Sequence, residues 1–254
     1  MAERRFFVVG TQRSGTVYIQ SLISSHPDAH CWGEILLGMD GPSRSGYPAA
    51  LGTRPKMRHI WQAVRSGSAT HPKRVMERAW GEAPAGVRAI GFRVMYNQLR
   101  PAVLKYLASN DALAIHIVRS NSLRQYVSLV QMRVRQATLG VGSAHSGTGQ
   151  RFAPVRVRPR SALAYVSERS RERAKVAESF ENQIAATIDY EVDILSGEVA
   201  ALSRKLTASL GLEPRMLAGG TSRTGQSNLA DAVLNFDELA DYFSDTEYAW
   251  MLGN

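Results

Sequence analysis

Phe6-Phe7-Val8-Val9-Gly10-Thr11-Gln12-Arg13-Ser14-Gly15-Thr16 decides how the rest of this chain is read. A short apolar run stops at Gly10. An amphipathic segment, Thr16-Val17-Tyr18-Ile19-Gln20-Ser21-Leu22-Ile23, begins at Thr16. The pattern predicts strand, tight loop, helix. Such a loop aims backbone N–H groups and the positive end of a helix at one point, which suits an anion such as phosphate.

Gly10 and Gly15 have the GxxxxG spacing of a nucleotide-binding phosphate loop, but Thr16 and Val17 stand where that loop carries Lys-[Ser/Thr]. The Lys grips the terminal phosphates of a nucleoside triphosphate, and the hydroxyl holds Mg²⁺. Val17 offers a metal no oxygen, and the cation has moved inside the loop, to Arg13. The loop therefore suits phosphate but not Mg-ATP. The plain alternative is a strand-turn-helix connection whose glycines serve only the turn.

A second anion signal lies about a hundred residues further on, in Ile115-His116-Ile117-Val118-Arg119-Ser120-Asn121-Ser122-Leu123-Arg124-Gln125-Tyr126-Val127-Ser128. An apolar strand delivers Arg119 at its carboxyl end, and a helix begins at once. Ligands bind at the carboxyl ends of parallel strands in sheets of this kind. Arg119 and a helical hydroxyl can hold a second phosphate. The plain alternative for Arg119 is a surface salt bridge.

Gln12-Arg13-Ser14-Gly15-Thr16 resembles the 5′-phosphosulfate loop of sulfotransferases that use 3′-phosphoadenosine 5′-phosphosulfate (PAPS). Arg119 and Ser128 resemble the same family's 3′-phosphate motif. Ile90-Gly91-Phe92-Arg93-Val94 is similar to its Gly-Phe-Lys strand, and Asp189-Tyr190-Glu191 to its Tyr-Glu strand. Ser227-Asn228-Leu229, Asn235-Phe236-Asp237-Glu238-Leu239 and Tyr248-Ala249-Trp250-Met251-Leu252 resemble the tail of bacterial carbohydrate and natural-product sulfotransferases.

The resemblance covers most of the chain. It implies an α/β, P-loop-type domain with a central, largely parallel sheet flanked by helices. It implies PAPS as donor, PAP as product, no metal, and a small-molecule hydroxyl acceptor, a sugar or natural product. Gln12, Arg13, Ser14, Gly15, Thr16 and Val17 would bind the 5′-phosphosulfate end, with Arg119 and Ser128 at the 3′-phosphate.

Sulfuryl transfer needs the donor held in line with a hydroxyl, a base for the hydroxyl proton, and positive charge at the leaving oxygen. Arg13 is the electrostatic candidate, because a guanidinium offers planar, multidentate donors. Similar bacterial carbohydrate sulfotransferases place a catalytic Glu shortly after the second strand. The Gly33-Glu34 match implies that role for Glu34, whose plain alternative is a solvated surface charge. His116 and His30 are rival bases; inside an apolar strand, His116 also reads as a satisfied core residue. Arg93 either lines the pocket or lies at the surface.

Composition sets the bounds. The chain has 254 residues, 44% of them hydrophobic, enough for one well-packed domain over 1–254. No apolar run reaches membrane-spanning length, and the four apolar residues after Met1-Ala2-Glu3-Arg4-Arg5 are too few for a signal peptide. A cytoplasmic protein without membrane association is expected. Cys31 is the only cysteine, which excludes an intrachain disulfide and a cysteine-rich zinc site. Of the six histidines, only His26 and His30 are spaced like ligands, and they straddle Pro27. The net charge of +9 suits either nucleic acid or a highly anionic small ligand. The basic residues are spread along the chain without aromatic interleaving, so a doubly phosphorylated nucleotide is the simpler partner and no nucleic acid is expected.

The element pattern alternates strand and helix. Strands are expected near 6–9, 29–32, 87–94, 112–118 and 187–190. Helices are expected near 15–25, 57–66, 101–107, 122–137, 161–185 and 196–210. Asn121 is placed to cap the helix at 122 and Asn235 the last short one, and Gly211 closes the helix before it. Residues 138–160 show no periodicity and read as a flexible acceptor-side loop. Two other readings remain open from the residues: a kinase-like phosphotransferase with an altered phosphate loop, and a non-catalytic nucleotide- or RNA-binding protein. Oligomeric state has no sequence signal.

Overall fold

The computed structural model describes residues 3–36, 72–139, 152–220 and 228–253. Within the chain expected to form one domain, contacts group the residues into two compact units. One comprises Met1–Val118 and Val176–Gly220; the other comprises Arg119–Lys175 and Thr221–Asn254.

The first unit holds a five-stranded, all-parallel sheet in the order β2-β3-β1-β4-β5. Its strands are β1 (Arg4–Gly10), β2 (Ala29–Glu34), β3 (Ala89–Met95), β4 (Leu113–Val118) and β5 (Ile184–Asp189). Its helices are α1 (Thr16–Ser24), α2 (Pro72–Gly81), α3 (Pro101–Ala108) and α6 (Val199–Ser209). The predicted strands all form with shifted ends: β1 and β2 are longer, β3 and β4 start one or two residues later, and β5 starts at Ile184, inside the stretch 161–185 expected to be helical, because that helix stops at Ser179. The stretch 57–66, expected to be helical, lies outside the described residues.

Parallel sheets are covered on both faces, so their strands are mostly apolar, and alternation decides which face each residue joins. Phe7, Val9, Ile90, Phe92 and Val94 pack against Val75, Met76 and Trp80 of α2 and Val103 and Leu107 of α3. Phe6, Val8, Ile115 and Ile117 pack against Ile19, Leu22 and Ile23 of α1 and Leu202 and Leu206 of α6. Full burial of one such side chain contributes about 1.5–3 kcal/mol. Phe7 is also held edge-on to Phe180, with ring centroids 5.0 Å apart.

The second unit is built on α4 (Ser122–Leu139) and α5 (Pro159–Ser179), whose last turn passes into the first unit, with the short α7 (Leu229–Ala232), α8 (Phe236–Ser244) and a final 3-10 turn, Ala249–Leu252. Asn121 caps α4 as expected: Arg124 N–H donates to its Oδ1 at 3.0 Å. The expected loop over 138–160 is shorter among the described residues. Helix α4 runs to Leu139 and α5 starts at Pro159. Between them, residues 152–158 form no helix or strand, with Phe152, Val155 and Val157 buried. Val155 bridges Val233 in parallel. The rest of that loop, 140–151, lies outside the described residues.

Asn235 differs from its expected capping role. Its Oδ1 accepts from Val157 N–H at 2.9 Å, and its Nδ2 donates to Val157 O at 2.8 Å. The side chain thus pairs with a neighbouring backbone as another strand would, and gives α8 no side-chain cap.

Candidate active site

The Gly10–Thr16 loop joins the carboxyl end of β1 to α1. Ser14 closes it: its N–H and hydroxyl both donate to Thr11 O, at 3.3 and 2.7 Å. Arg13 has φ 65° and Gly15 has φ 85°, both left-handed. A turn of this kind turns successive N–H groups inward as an anion nest. A non-glycine residue held there marks stored strain, a frequent property of ligand loops.

Both glycines are also required by space. A Cβ on Gly10 would lie 2.9 Å from Thr16 Cγ2 and 3.1 Å from Ile117 O, and one on Gly15 would lie 2.8 Å from Ile194 Cδ1. Gly15 has no side chain to cap α1, so the first N–H groups of the helix have no side-chain cap. Gln12 is exposed, Arg13 and Val17 are half-buried, and Ser14 and Thr16 are buried.

Arg93 reaches this loop from β3. It is 5% exposed, its Nη1 donates to Thr16 Oγ1 at 3.4 Å, and its buried Nε has no hydrogen-bond partner. A buried guanidinium with an unmet donor beside a phosphate-type loop fits an anionic ligand and is costly without one. Nearby, Cys31 is desolvated, which pushes its thiol up to about 12 against the opposing charge of Arg93.

Glu34 closes β2. The β2–β3 register slips between Trp32 and Glu34, so Gly33 is the extra residue and Glu34 pairs with Arg93. Without that bulge, simple alternation would put Gly33 opposite Arg93 and turn Glu34 to the other face. Glu34 is buried, and Gln98 Nε2 donates to its Oε1 at 2.8 Å. Gln98 belongs to a 3-10 turn, Tyr96–Gln98, directly after β3.

His116 is buried, with Nε2 2.6 Å from the Tyr96 hydroxyl. His30 lies edge-on to Trp32, with ring centroids 4.1 Å apart. The structure therefore brings Gly10–Thr16, Glu34, Arg93 and Gln98 to the carboxyl ends of three adjacent strands. No sequence signal pointed to Gln98 or to the Tyr96–His116 pair, because both depend on side chains meeting across strands.

Arg119 and Ser128 belong to the second unit. Arg119 is half-buried, and Ser128 is buried on α4. Burial pushes the Tyr165 hydroxyl up to about 12, while the charges of Arg169 and Arg119 act in the opposite direction. Among the described residues, no group of three or more His, Cys, Asp or Glu side chains could hold a metal ion. Among them, too, no helix is long and apolar enough to cross a membrane.

No family model matches the chain. Over 258 aligned positions it is 25% identical to nodulation protein H of Rhizobium tropici, covering 96% of this chain and 91% of the relative. Its fold is similar to the crystal structure of a sulfotransferase from Alicyclobacillus acidocaldarius, with TM-score 0.53, 18% identity, and coverage of 99% of this chain and 96% of the other. In sequence and in fold the chain is similar to these two proteins, the second of which is a sulfotransferase. The all-parallel sheet, with its loop-to-helix connection after β1, is the fold shared with that sulfotransferase.

Proposed function

We propose that this protein is a sulfotransferase that moves a sulfuryl group from PAPS to a hydroxyl of a sugar or small natural product without a metal. The observation that carries the reading is the Arg93–Thr16 contact. A buried cation with an unmet donor holds the first hydroxyl of α1, beside a strained nest of N–H groups. Arg93 donates to Thr16 Oγ1, which leaves the hydroxyl proton to donate to a 5′-phosphate oxygen. The Ser14 N–H and hydroxyl both already donate to Thr11 O, so Ser14 serves the phosphate through loop shape.

In this reading Glu34 accepts the acceptor's proton while the acceptor oxygen bonds to sulfur. The bond from sulfur to the bridging phosphate oxygen breaks, and its electron pair stays on that oxygen. Arg13 meets the charge that grows there, which is where preorganised charge lowers the barrier most. Arg119 and Ser128 bind the 3′-phosphate. The kinase-like reading would need an oxygen ligand for Mg²⁺ where Val17 stands.

Calorimetric titration of the protein in EDTA with PAP, with AMP, and separately of ATP with Mg²⁺ tests the assignment. Tight PAP binding, with AMP much weaker, is expected. Equal affinity for AMP, or preference for Mg-ATP, would overturn it.

A further inference from the structure

We infer that Gln98 positions Glu34 for proton transfer and ties it to the phosphate loop, an inference that rests on the sulfuryl-transfer reading above. Gln98 is 2% exposed. Met95 N–H donates to its Oε1 at 2.9 Å. A backbone N–H is always a donor, so the atom that it meets is the amide oxygen, and the amide nitrogen is left to face Glu34. That nitrogen donates to Glu34 Oε1 at 2.8 Å. The direction of the amide is therefore set by the backbone, and the carboxylate is held by a donor that cannot flip away without orphaning Met95 N–H.

Two further contacts make this a positioning device and not simple burial. Met95, which anchors the amide, is the register partner of Gly10, the residue that opens the phosphate loop. Tyr96, in the same turn, is held to His116 on β4 at 2.6 Å. A continuous path thus runs from Gly10 through Met95 and Gln98 to Glu34, and the turn is pinned on both sides. Displacing a reacting group by about 1 Å can cost about a hundredfold in rate, so a path that fixes base and donor loop to each other bears on turnover.

The test measures steady-state PAP release from PAPS in a fixed aqueous mixture of glucose, N-acetylglucosamine and 4-nitrophenol. Gln98→Met removes both amide contacts. Gln98→Glu keeps an acceptor for Met95 N–H and sets a second carboxyl against Glu34, so the pair shares a proton and Glu34 is no longer a free base; it serves if the first variant folds poorly. In the folded variants kcat is expected to fall at least about tenfold, with KM for PAPS and PAP affinity within about twofold of the parent. Gln98→Glu is expected to add nothing on a Glu34→Gln background, as two residues acting as a unit should. Unchanged kcat in Gln98→Glu, with Glu34→Gln impaired, overturns the role of Gln98 and leaves Glu34 as base. Full turnover in Glu34→Gln, or no PAP release by the parent protein, removes the underlying reading and this inference with it.

Discussion

Arg93 on β3 donates to the Thr16 hydroxyl oxygen at 3.4 Å, and both residues are buried at the start of α1. Its buried Nε has no hydrogen-bond partner, so the guanidinium is only partly satisfied inside the protein. Removing a partly satisfied buried charge relieves a desolvation cost. Arg93→Met is therefore expected to keep or raise the unfolding temperature while weakening PAP binding about tenfold, about 1.4 kcal/mol. Thermal unfolding and calorimetry on the same sample check both signs. A lower unfolding temperature with unchanged PAP affinity would make Arg93 a structural residue only.

Arg13 separates backbone strain from charge. Its left-handed φ of 65° costs about 1 kcal/mol for a residue with a Cβ, and glycine avoids most of that cost. Arg13→Gly is expected to be at least as stable as the parent, and Arg13→Ala no more stable than Arg13→Gly. Both are expected to lose PAP affinity, and turnover by at least about a hundredfold. PAP titration and PAP-release rates of the two variants decide it; full activity in either would remove Arg13 from the chemistry.

Glu34→Gln is expected to lower kcat by about 10²–10⁴, the usual contribution of a general base, with PAP affinity unchanged. The comparison to make is kcat against the PAP dissociation constant. A parallel loss of both would assign Glu34 to holding the loop instead of to proton transfer.

Arg119→Ala and Ser128→Ala separate the two ends of the nucleotide. If they serve the 3′-phosphate, PAP affinity falls while the affinity for AMP, which lacks that phosphate, stays as it was. Titration with both ligands reads the difference, and equal losses for the two would reassign these residues.

Alkaline pH should destabilise the fold through two buried groups. The Cys31 thiol goes from an ordinary value of 9.0 to about 12, and Tyr165 from 10.0 to about 12, in each case mainly through desolvation. The folded protein keeps protons that the unfolded chain releases, so stability is full below about pH 9 and falls as pH rises towards 12. Unfolding temperatures measured at pH 8, 9.5 and 11 should decline across that series, with a smaller decline in Cys31→Ala. The same burial predicts that Cys31 does not react with Ellman's reagent at pH 8 until the protein unfolds.

Local chemistry was legible in the chain. Gly10, Arg13, Gly15 and the apolar runs on either side define a strand, an anion loop and a helix from nearest-neighbour sterics alone. The five strands are readable because each is built on a short, mostly apolar run, and Asn121 because a cap acts within three residues. The segment 152–158 was hidden: the buried Val155 and Val157 are too short a run to declare a strand, and their partners Val233 and Asn235 are distant in sequence.

What the tertiary structure alone decided is how side chains meet across strands. Glu34 faces Arg93 because Gly33 is an extra residue in the β2–β3 register, and a bulge has no signature in composition or alternation until both strands are paired. Gln98 reaches Glu34, Tyr96 reaches His116 and Arg93 reaches Thr16 because parallel strands with different connections end side by side. Sequence determined which local elements can form, since propensity and sterics act over a few residues. The register between elements determined which polar groups share one buried space, and that depends on contacts between residues far apart in the chain.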